Sequence, residues 1–311
     1  MPYTEKKIEF LSSDGKNTVR GTLYLPEGKV LFAVLLSHGM IDHSERYSGF
    51  AEFLTSHGCA FFGYDHLGHG RTAACPEDFG FFASRGGREL LVDDLERARR
   101  LLAKELPDTP IVLFGHSMGS FIARLYATKY KDALSAIVIH GTAGANPMLL
   151  PGRAIVSLLR LIYGERHRSP FIKSLAEGVY EKAFVKTDGK NGWLTRDVAR
   201  VADRDTDPRT SFTFTLAAYA DLFEMLTLCN KGAWFRDYPR ELPTLITSGG
   251  DDPVGGFGRG TRQVYKKLQR CGVESLTYKE YEGARHELFF EINSDEVFGD
   301  ILSWISGAVT K

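Results

Sequence analysis

The pentapeptide GHSMG, at residues 115–119, could hold a nucleophilic serine. It follows the apolar run 111–114 and precedes a segment, 121–130, whose apolar residues recur at helical spacing. A G-x-S-x-G motif needs this order, because a sharp turn between strand and helix holds the serine hydroxyl clear of the sheet. An ordinary glycine-rich turn is the alternative interpretation, but the flanking patterns favour Ser117 as a nucleophile.

A serine hydroxyl is a weak nucleophile unless a base takes its proton. Three of the nine histidines lie beyond Ser117. His140 ends a predicted core strand, and His167 lies in the basic stretch GERHRSP. His286 follows the last strand pattern, where the carboxyl end of a strand would bring a base to the top of the sheet. We therefore predict His286 as the base.

An acid should orient this base, and Asp251 and Asp252 both follow a predicted buried strand at 243–249. Their spacing does not decide which of the two acts and which is solvated or caps the following segment.

Acyl transfer also needs two backbone N–H donors for the developing oxyanion. The residue after the nucleophile, Met118, supplies one of them. Another strand pattern runs into His38-Gly39, and the glycine would let the chain turn so that the N–H of Met40 faces the site. A plain turn at the end of the strand is the alternative.

Hydrophobic patterns indicate the elements that must position these residues. Residues 8–25 alternate around Asp14-Gly15, which is typical of an antiparallel hairpin. Continuous apolar runs follow and predict parallel strands buried on both faces and joined by helices. These runs are 30–36, 59–64, 111–114 and 136–139. Two further strand patterns, 243–249 and 276–281, follow later in the chain.

The alternation of strand and helix patterns stops between residues 142 and 235, where no comparable buried-strand pattern occurs. This stretch is too long for a simple loop and predicts an inserted helical subdomain, with the remaining residues, 1–141 and 236–311, forming an α/β core. The helical patterns within it cover 148–163, 193–202 and 212–228.

Composition narrows the classes of function. The chain has 39 basic and 39 acidic residues, without long runs of one sign, which argues against a nucleic-acid surface and favours a small-molecule partner. The start lacks an apolar signal region, which predicts a cytoplasmic protein. Asp65, His66 and His69 have no further ligand cluster at metal spacing, and the four cysteines form no CxxC, so we expect no metal site.

Five motifs, in this order, resemble those of the monoacylglycerol lipase and lysophospholipase group of α/β-hydrolases, the serine aminopeptidase S33-type enzymes. They cover the whole core: HGMIDHSERY at 38–47, GYDHLGHG at 63–70, GHSMG at 115–119, SGGDDPVG at 248–255 and YEGARHE at 281–287. The resemblance implies an eight-stranded, mostly parallel sheet with helices on both faces, a helical cap over the site, and no cofactor. It also implies Ser117 and His286 as nucleophile and base, selects Asp252 over Asp251, and supports Met40 and Met118 as oxyanion donors.

The expected reaction is hydrolysis of a carboxylic ester or lipid through an acyl-enzyme, with at most peripheral membrane contact. Apolar segments of the insertion could line an acyl pocket or simply pack on the core. Arg153, Arg160, Arg166 and Arg168 could meet an anionic headgroup or be solvated. An aminopeptidase is an alternative, with Glu165, Glu177 and Glu181 available for a substrate amine, and a noncatalytic binding protein is another.

Overall fold

The computed structural model describes residues 3–310, in which eight strands form a single sheet. The strands are β1 (Tyr3–Leu11), β2 (Thr18–Pro26), β3 (Ala33–Ser37), β4 (Ala60–Tyr64), β5 (Ile111–His116), β6 (Ala136–His140), β7 (Thr244–Gly249) and β8 (Leu276–Tyr281). Their spatial order is β1-β2-β4-β3-β5-β6-β7-β8. The β1–β2 and β2–β4 pairs are antiparallel and the other pairs are parallel, which confirms the predicted eight-stranded, mostly parallel sheet.

Helices cover the sheet and fill the long connection between β6 and β7. The first three helices are α1 (Ser48–Ser56), α2 (Gly87–Glu105) and α3 (Met118–Lys129). The connection carries α4 (Leu149–Tyr163), α5 (Pro170–Asp188), α6 (Val198–Thr206), α7 (Leu216–Leu228) and α8 (Gly232–Asp237). The chain ends with α9 (Arg259–Arg270) and α10 (Ser294–Val309). The limits of the inserted subdomain, residues 142 and 235, stay a prediction.

The continuous apolar runs form strands because both faces of the sheet are buried. Along β3, Ala33 and Leu35 belong to one hydrophobic core, and Val34 and Leu36 to the core on the opposite face. Successive side chains of a strand point to opposite faces, so a strand between two cores needs apolar residues at every position. This arrangement brings the carboxyl ends of the central strands, and the loops that follow them, to one edge of the sheet.

The helices of the insertion differ from the sequence-based expectation in two places. The helix predicted over 193–202 begins only at Val198, since residues 192–196 run along the loop after β8. There Glu287 donates its N–H to the Leu194 carbonyl oxygen (2.7 Å), and Thr195 donates its hydroxyl to the Phe290 carbonyl oxygen (2.8 Å). Helix α5, the other difference, was not predicted. Within residues 3–310, every helix is too short or too polar to cross a bilayer.

Candidate active site

Ser117 lies at the apex of the turn between β5 and α3, as the motif predicts. Its backbone has φ of 51° and ψ of −118°, a conformation that a residue with a side chain seldom adopts. The Ser117 N–H donates to the carbonyl oxygen of His140 at the end of β6, 3.0 Å away. The turn is thus a strained one, tied to the neighbouring strand.

The two glycines of the motif are required by close packing. A Cβ atom at Gly119 would overlap the carbonyl oxygen of Ser37, because α3 passes directly over the end of β3. A Cβ atom at Gly115 would lie 2.6 Å from the carbonyl oxygen of Gly119. A side chain at either position would force α3 away from the sheet and move Ser117 with it.

The structure brings Ser117, His286 and Asp252 together. Ser117 Oγ is 2.8 Å from His286 Nε2, and His286 Nδ1 is 3.1 Å from Asp252 Oδ2. Asp252 is fully buried and His286 is 3% exposed. Such a chain of hydroxyl, imidazole and carboxylate can move a proton from the hydroxyl to the ring and stabilise the charged ring.

The two neighbouring aspartates after β7 have different surroundings. Asp251 is exposed, and its backbone N–H donates to the Ala284 carbonyl oxygen (2.9 Å). The other oxygen of Asp252, Oδ1, accepts the Val254 N–H (2.8 Å), which orients the carboxylate. Asp252 is therefore the aspartate that contacts His286.

Opposing effects act on the pKa of His286. Burial disfavours the charged imidazolium and would lower it, but the carboxylate of Asp252 favours the charged form, as Glu287 does more weakly. The carboxylates outweigh burial, and the pKa lies above its ordinary value of 6.5.

The two backbone segments predicted to supply oxyanion donors lie beside Ser117. Met40 and Met118 line the same cavity as Ser117 and His286. A Cβ atom on Gly39 would be 3.4 Å from Ser117 Cβ, so the loop after β3 passes against the turn that holds Ser117. Met118 is the first residue of α3, and the N–H groups of a helix's first turn lack partners within the helix.

A buried ion-pair network joins the loops after β3 and β8; the sequence led us to expect His43, Arg46 and Tyr47 to bind one another and the nearby loop, but not the pairing of Arg46 with Glu287. The guanidinium of Arg46 donates to Asp42 (2.8 Å) and to Glu287 (2.7 Å), the residue after His286. Tyr47 donates its hydroxyl to Asp42 (2.8 Å), whereas His43 pairs with Asp207 at the end of α6 (2.9 Å). The network fixes the loop that carries His286.

Both the core and the insertion line the cavity at Ser117. Its aromatic residues include Trp193, whose ring centroid is 5.4 Å from that of His286. Its aliphatic lining comes largely from α4, α5 and α7: Leu149, Leu175, Ala176, Leu222 and Leu226. Part of the apolar surface of the insertion therefore faces the site rather than the core.

Of the three glutamates considered for amine binding, only Glu177 lines this cavity. Its carboxylate accepts a hydrogen bond from the hydroxyl of Tyr219 (2.6 Å), and burial raises the pKa of its carboxyl group. Glu165 pairs with Arg160 (2.6 Å) and Glu181 with Lys190 (3.8 Å). Arg204 also lines the cavity, 3.9 Å from Glu287.

The other arginines considered for an anionic headgroup have partners within the protein. Arg153 is 3.5 Å from Glu224, and Arg166 is 3.2 Å from Asp78. Arg168 donates to carbonyl oxygens of the segment 77–79. These pairs attach the insertion to the core and to itself.

Comparison with known proteins agrees with the fold and the motifs. Residues 28–293 match the family described as "Serine aminopeptidase, S33". The Monoacylglycerol lipase of Mycolicibacterium smegmatis is 26% identical over 298 residues, which cover 91% of each chain. The Monoglyceride lipase of Homo sapiens is 25% identical, over 90% of this chain and 84% of the human one.

Among solved structures, a highly thermostable carboxyl esterase from Bacillus coagulans in complex with glycerol superposes with a TM-score of 0.90. The two chains are 28% identical, and the match covers 98% of this chain and 99% of that one. With this fold and a family match over most of its length, the chain is an α/β-hydrolase that belongs to the serine aminopeptidase S33 family.

Proposed function

We propose that this protein is a serine hydrolase that cleaves carboxylic esters through an acyl-enzyme. The observation that carries the proposal is the 2.8 Å contact between Ser117 Oγ and His286 Nε2, with Asp252 on the other ring nitrogen. The relatives named as monoacylglycerol lipases and the esterase neighbour support an ester substrate.

In the first step, Ser117 Oγ bonds to the ester carbonyl carbon while its proton passes to His286 Nε2. Asp252 stabilises the resulting imidazolium, and the N–H groups of Met40 and Met118 donate to the oxyanion. As the intermediate collapses, the ester C–O bond breaks and His286 gives its proton to the alcohol oxygen. The acyl group stays on Ser117.

The second step returns the enzyme to its starting state. Water gives a proton to His286 as its oxygen bonds to the acyl carbon, and the proton passes to Ser117 Oγ when the acyl–serine bond breaks. The product is a carboxylic acid. Ser117, His286, Asp252 and the two backbone donors thus complete the cycle with water as the only co-reactant.

The lining of the cavity supports a substrate with an apolar acyl chain and a polar alcohol. The aliphatic side chains of α4, α5 and α7 suit the acyl chain, while Glu177 and Arg204 offer an acceptor and donors for hydroxyl groups. A monoacylglycerol has both parts, and a lysophospholipid shares the single chain. We place the protein with the monoacylglycerol lipase and lysophospholipase-like carboxylesterases.

A substrate panel tests this assignment. We expect turnover of p-nitrophenyl esters and of monoacylglycerols from acetyl to dodecanoyl, with kcat/KM rising with chain length as more apolar surface is buried. The measurements are chromogenic assays and release of free fatty acid. A preference for acetyl esters would leave an esterase but contradict the lipase assignment.

An aminopeptidase is the second candidate, and the position of Glu177 in the cavity favours it. A half-buried carboxylate in the same cavity as the nucleophile could hold the α-amine of a peptide substrate. Amino-acyl p-nitroanilides, added to the same panel, separate the candidates. Faster turnover of anilides than of every ester would replace the esterase proposal with this one.

The pH profile should follow the titration of His286. The base must be neutral to accept a proton, so kcat/KM should fall as the pH drops through its pKa. Because this pKa is raised, the midpoint of the acid limb should lie above 6.5. Stopped-flow or plate assays with a p-nitrophenyl ester in buffers of constant ionic strength measure it, and a midpoint clearly below 6.5 would contradict the ion pair with Asp252.

A further inference from the structure

The peptide unit between Gly39 and Met40 is held from its carbonyl side. His38 Nε2 accepts the backbone N–H of His66 (3.0 Å), so the ring proton is on Nδ1, which donates to the Gly39 carbonyl oxygen (2.9 Å). The Gly39 carbonyl and the Met40 N–H belong to one planar unit and point in opposite directions. Holding the oxygen on one side therefore aims the N–H to the other.

The next peptide unit is held by a second buried histidine, His69. The Ile41 N–H donates to His69 Nε2 (3.3 Å), while His69 Nδ1 donates to the Leu67 carbonyl oxygen (3.0 Å). The ring is fully buried and stacks on Phe82 (centroids 5.8 Å apart). Burial lowers its pKa to about 3, so the ring is neutral at ordinary pH and Nε2 remains an acceptor.

Ile41 has an unusual backbone conformation for its residue type. Its φ is 53°, in the left-handed region, where a β-branched side chain is disfavoured. Such a conformation persists only where the surroundings enforce it. The N–H that donates to His69 belongs to Ile41, the residue with this strained backbone. Ile41 also lines the cavity, next to Met40.

We propose that His69 is a positioning residue for the oxyanion site. By accepting the Ile41 N–H, it keeps Ile41 left-handed, and the chain on either side of Met40 is then fixed by His38 and His69 together. The Met40 N–H consequently faces the place where the oxyanion forms. This inference rests on the proposed ester hydrolysis, in which Met40 supplies an oxyanion donor.

The test compares His69→Gln with His69→Met, two side chains of similar length and shape. Gln can accept the Ile41 N–H through its amide oxygen, whereas Met has only a weakly accepting sulfur. With a p-nitrophenyl ester we expect His69→Gln to keep kcat within about threefold of the wild type, and His69→Met to lose about ten- to a hundredfold, below the full loss of an oxyanion donor. KM should change by less than about threefold in both, because the donor acts on the transition state.

Replacing Ile41 by glycine distinguishes positioning from a general packing role. Glycine adopts positive φ without strain, so the left-handed conformation at position 41 no longer depends on the hydrogen bond to His69. We expect the kcat ratio between His69→Gln and His69→Met to fall below about threefold when both also carry Ile41→Gly. A packing defect at position 69 would leave this ratio unchanged.

Several outcomes overturn the inference. One is equal kcat for folded His69→Gln and His69→Met, and another is an unchanged ratio in the Ile41→Gly background. Should His69→Met lack a cooperative thermal transition, His69→Phe replaces it, because a ring suits the site beside Phe82 and lacks an acceptor. A wild-type protein without serine-dependent ester hydrolysis would instead reject the proposed function, which separates the two failures.

Discussion

Ser117→Ala should lower kcat for a p-nitrophenyl ester about 10⁴- to 10⁶-fold, to near the uncatalysed background. The change removes only the hydroxyl oxygen that lies 2.8 Å from His286 Nε2, and the backbone turn stays. Thermal unfolding should therefore show a cooperative transition at the wild-type temperature or above. The experiment measures steady-state kinetics and unfolding on the same preparation.

A fluorophosphonate probe provides an independent measurement of the same nucleophile. The wild-type protein should be labelled, and Ser117→Ala should not. Ser120→Ala is the matched control, because Ser120 lies only three residues away but is buried outside the cavity, and its hydroxyl donates to the Ser117 carbonyl oxygen. Labelling that persists in Ser117→Ala would reject the nucleophile, and an unlabelled wild type would favour a noncatalytic binding protein.

Asp252→Asn should lower kcat about 10⁴-fold, the second largest effect that we expect. An asparagine side chain fits the same space but cannot stabilise the imidazolium, and its amide can hold the ring in the wrong tautomer. The carboxylate oxygen concerned lies 3.1 Å from His286 Nδ1. The same kinetic assay measures the loss, and the acid limb of the pH profile should move to lower pH because the ring loses its carboxylate partner.

Asp251→Asn is the control for this prediction. The two residues are adjacent and chemically identical, but Asp251 is exposed, so its variant should stay within about threefold of the wild type. A larger loss in Asp251→Asn than in Asp252→Asn would reverse the assignment of the acid.

The sheet could be predicted from sequence because strands that are buried on both faces carry apolar residues at every position. Residues 111–114 and 136–139 are apolar at every position, and they form the central strands β5 and β6. The contact between Ser117 and His286 could also be predicted, because parallel strands end at a common edge of the sheet and few histidines follow Ser117. The choice of Asp252 over Asp251 came from the family resemblance. In the structure Asp252 is buried and contacts His286, whereas Asp251 is exposed.

The insertion was harder to predict because a helix with few buried residues shows only a weak apolar periodicity in the sequence. In α5 only Ile172 is fully buried, so the segment lacks a clear apolar stripe. Its start does carry a signal, Ser169 followed by Pro170, and the Ser169 hydroxyl accepts the Ile172 N–H. The pattern at residues 193–197 predicts a helix, but these residues form a turn and irregular chain that is hydrogen-bonded to the loop that carries His286.

Other features of the site depend on contacts between distant parts of the chain. Arg46 and Glu287 are 241 residues apart in the chain, so no local sequence pattern predicts their pairing. The left-handed backbone of Ile41 is contrary to the preference of its residue type, so sequence reasoning would place it elsewhere.

The backbone of Ser117 has a consequence for the evolution of this protein. A residue with a side chain at φ of 51° retains about 1–3 kcal/mol of conformational free energy that a relaxed turn would release. Glycine would release it, so selection for thermal robustness alone would drive serine out of this position. Under the proposed function, a serine is retained here because turnover requires its hydroxyl, although the strained backbone lowers the stability of the fold.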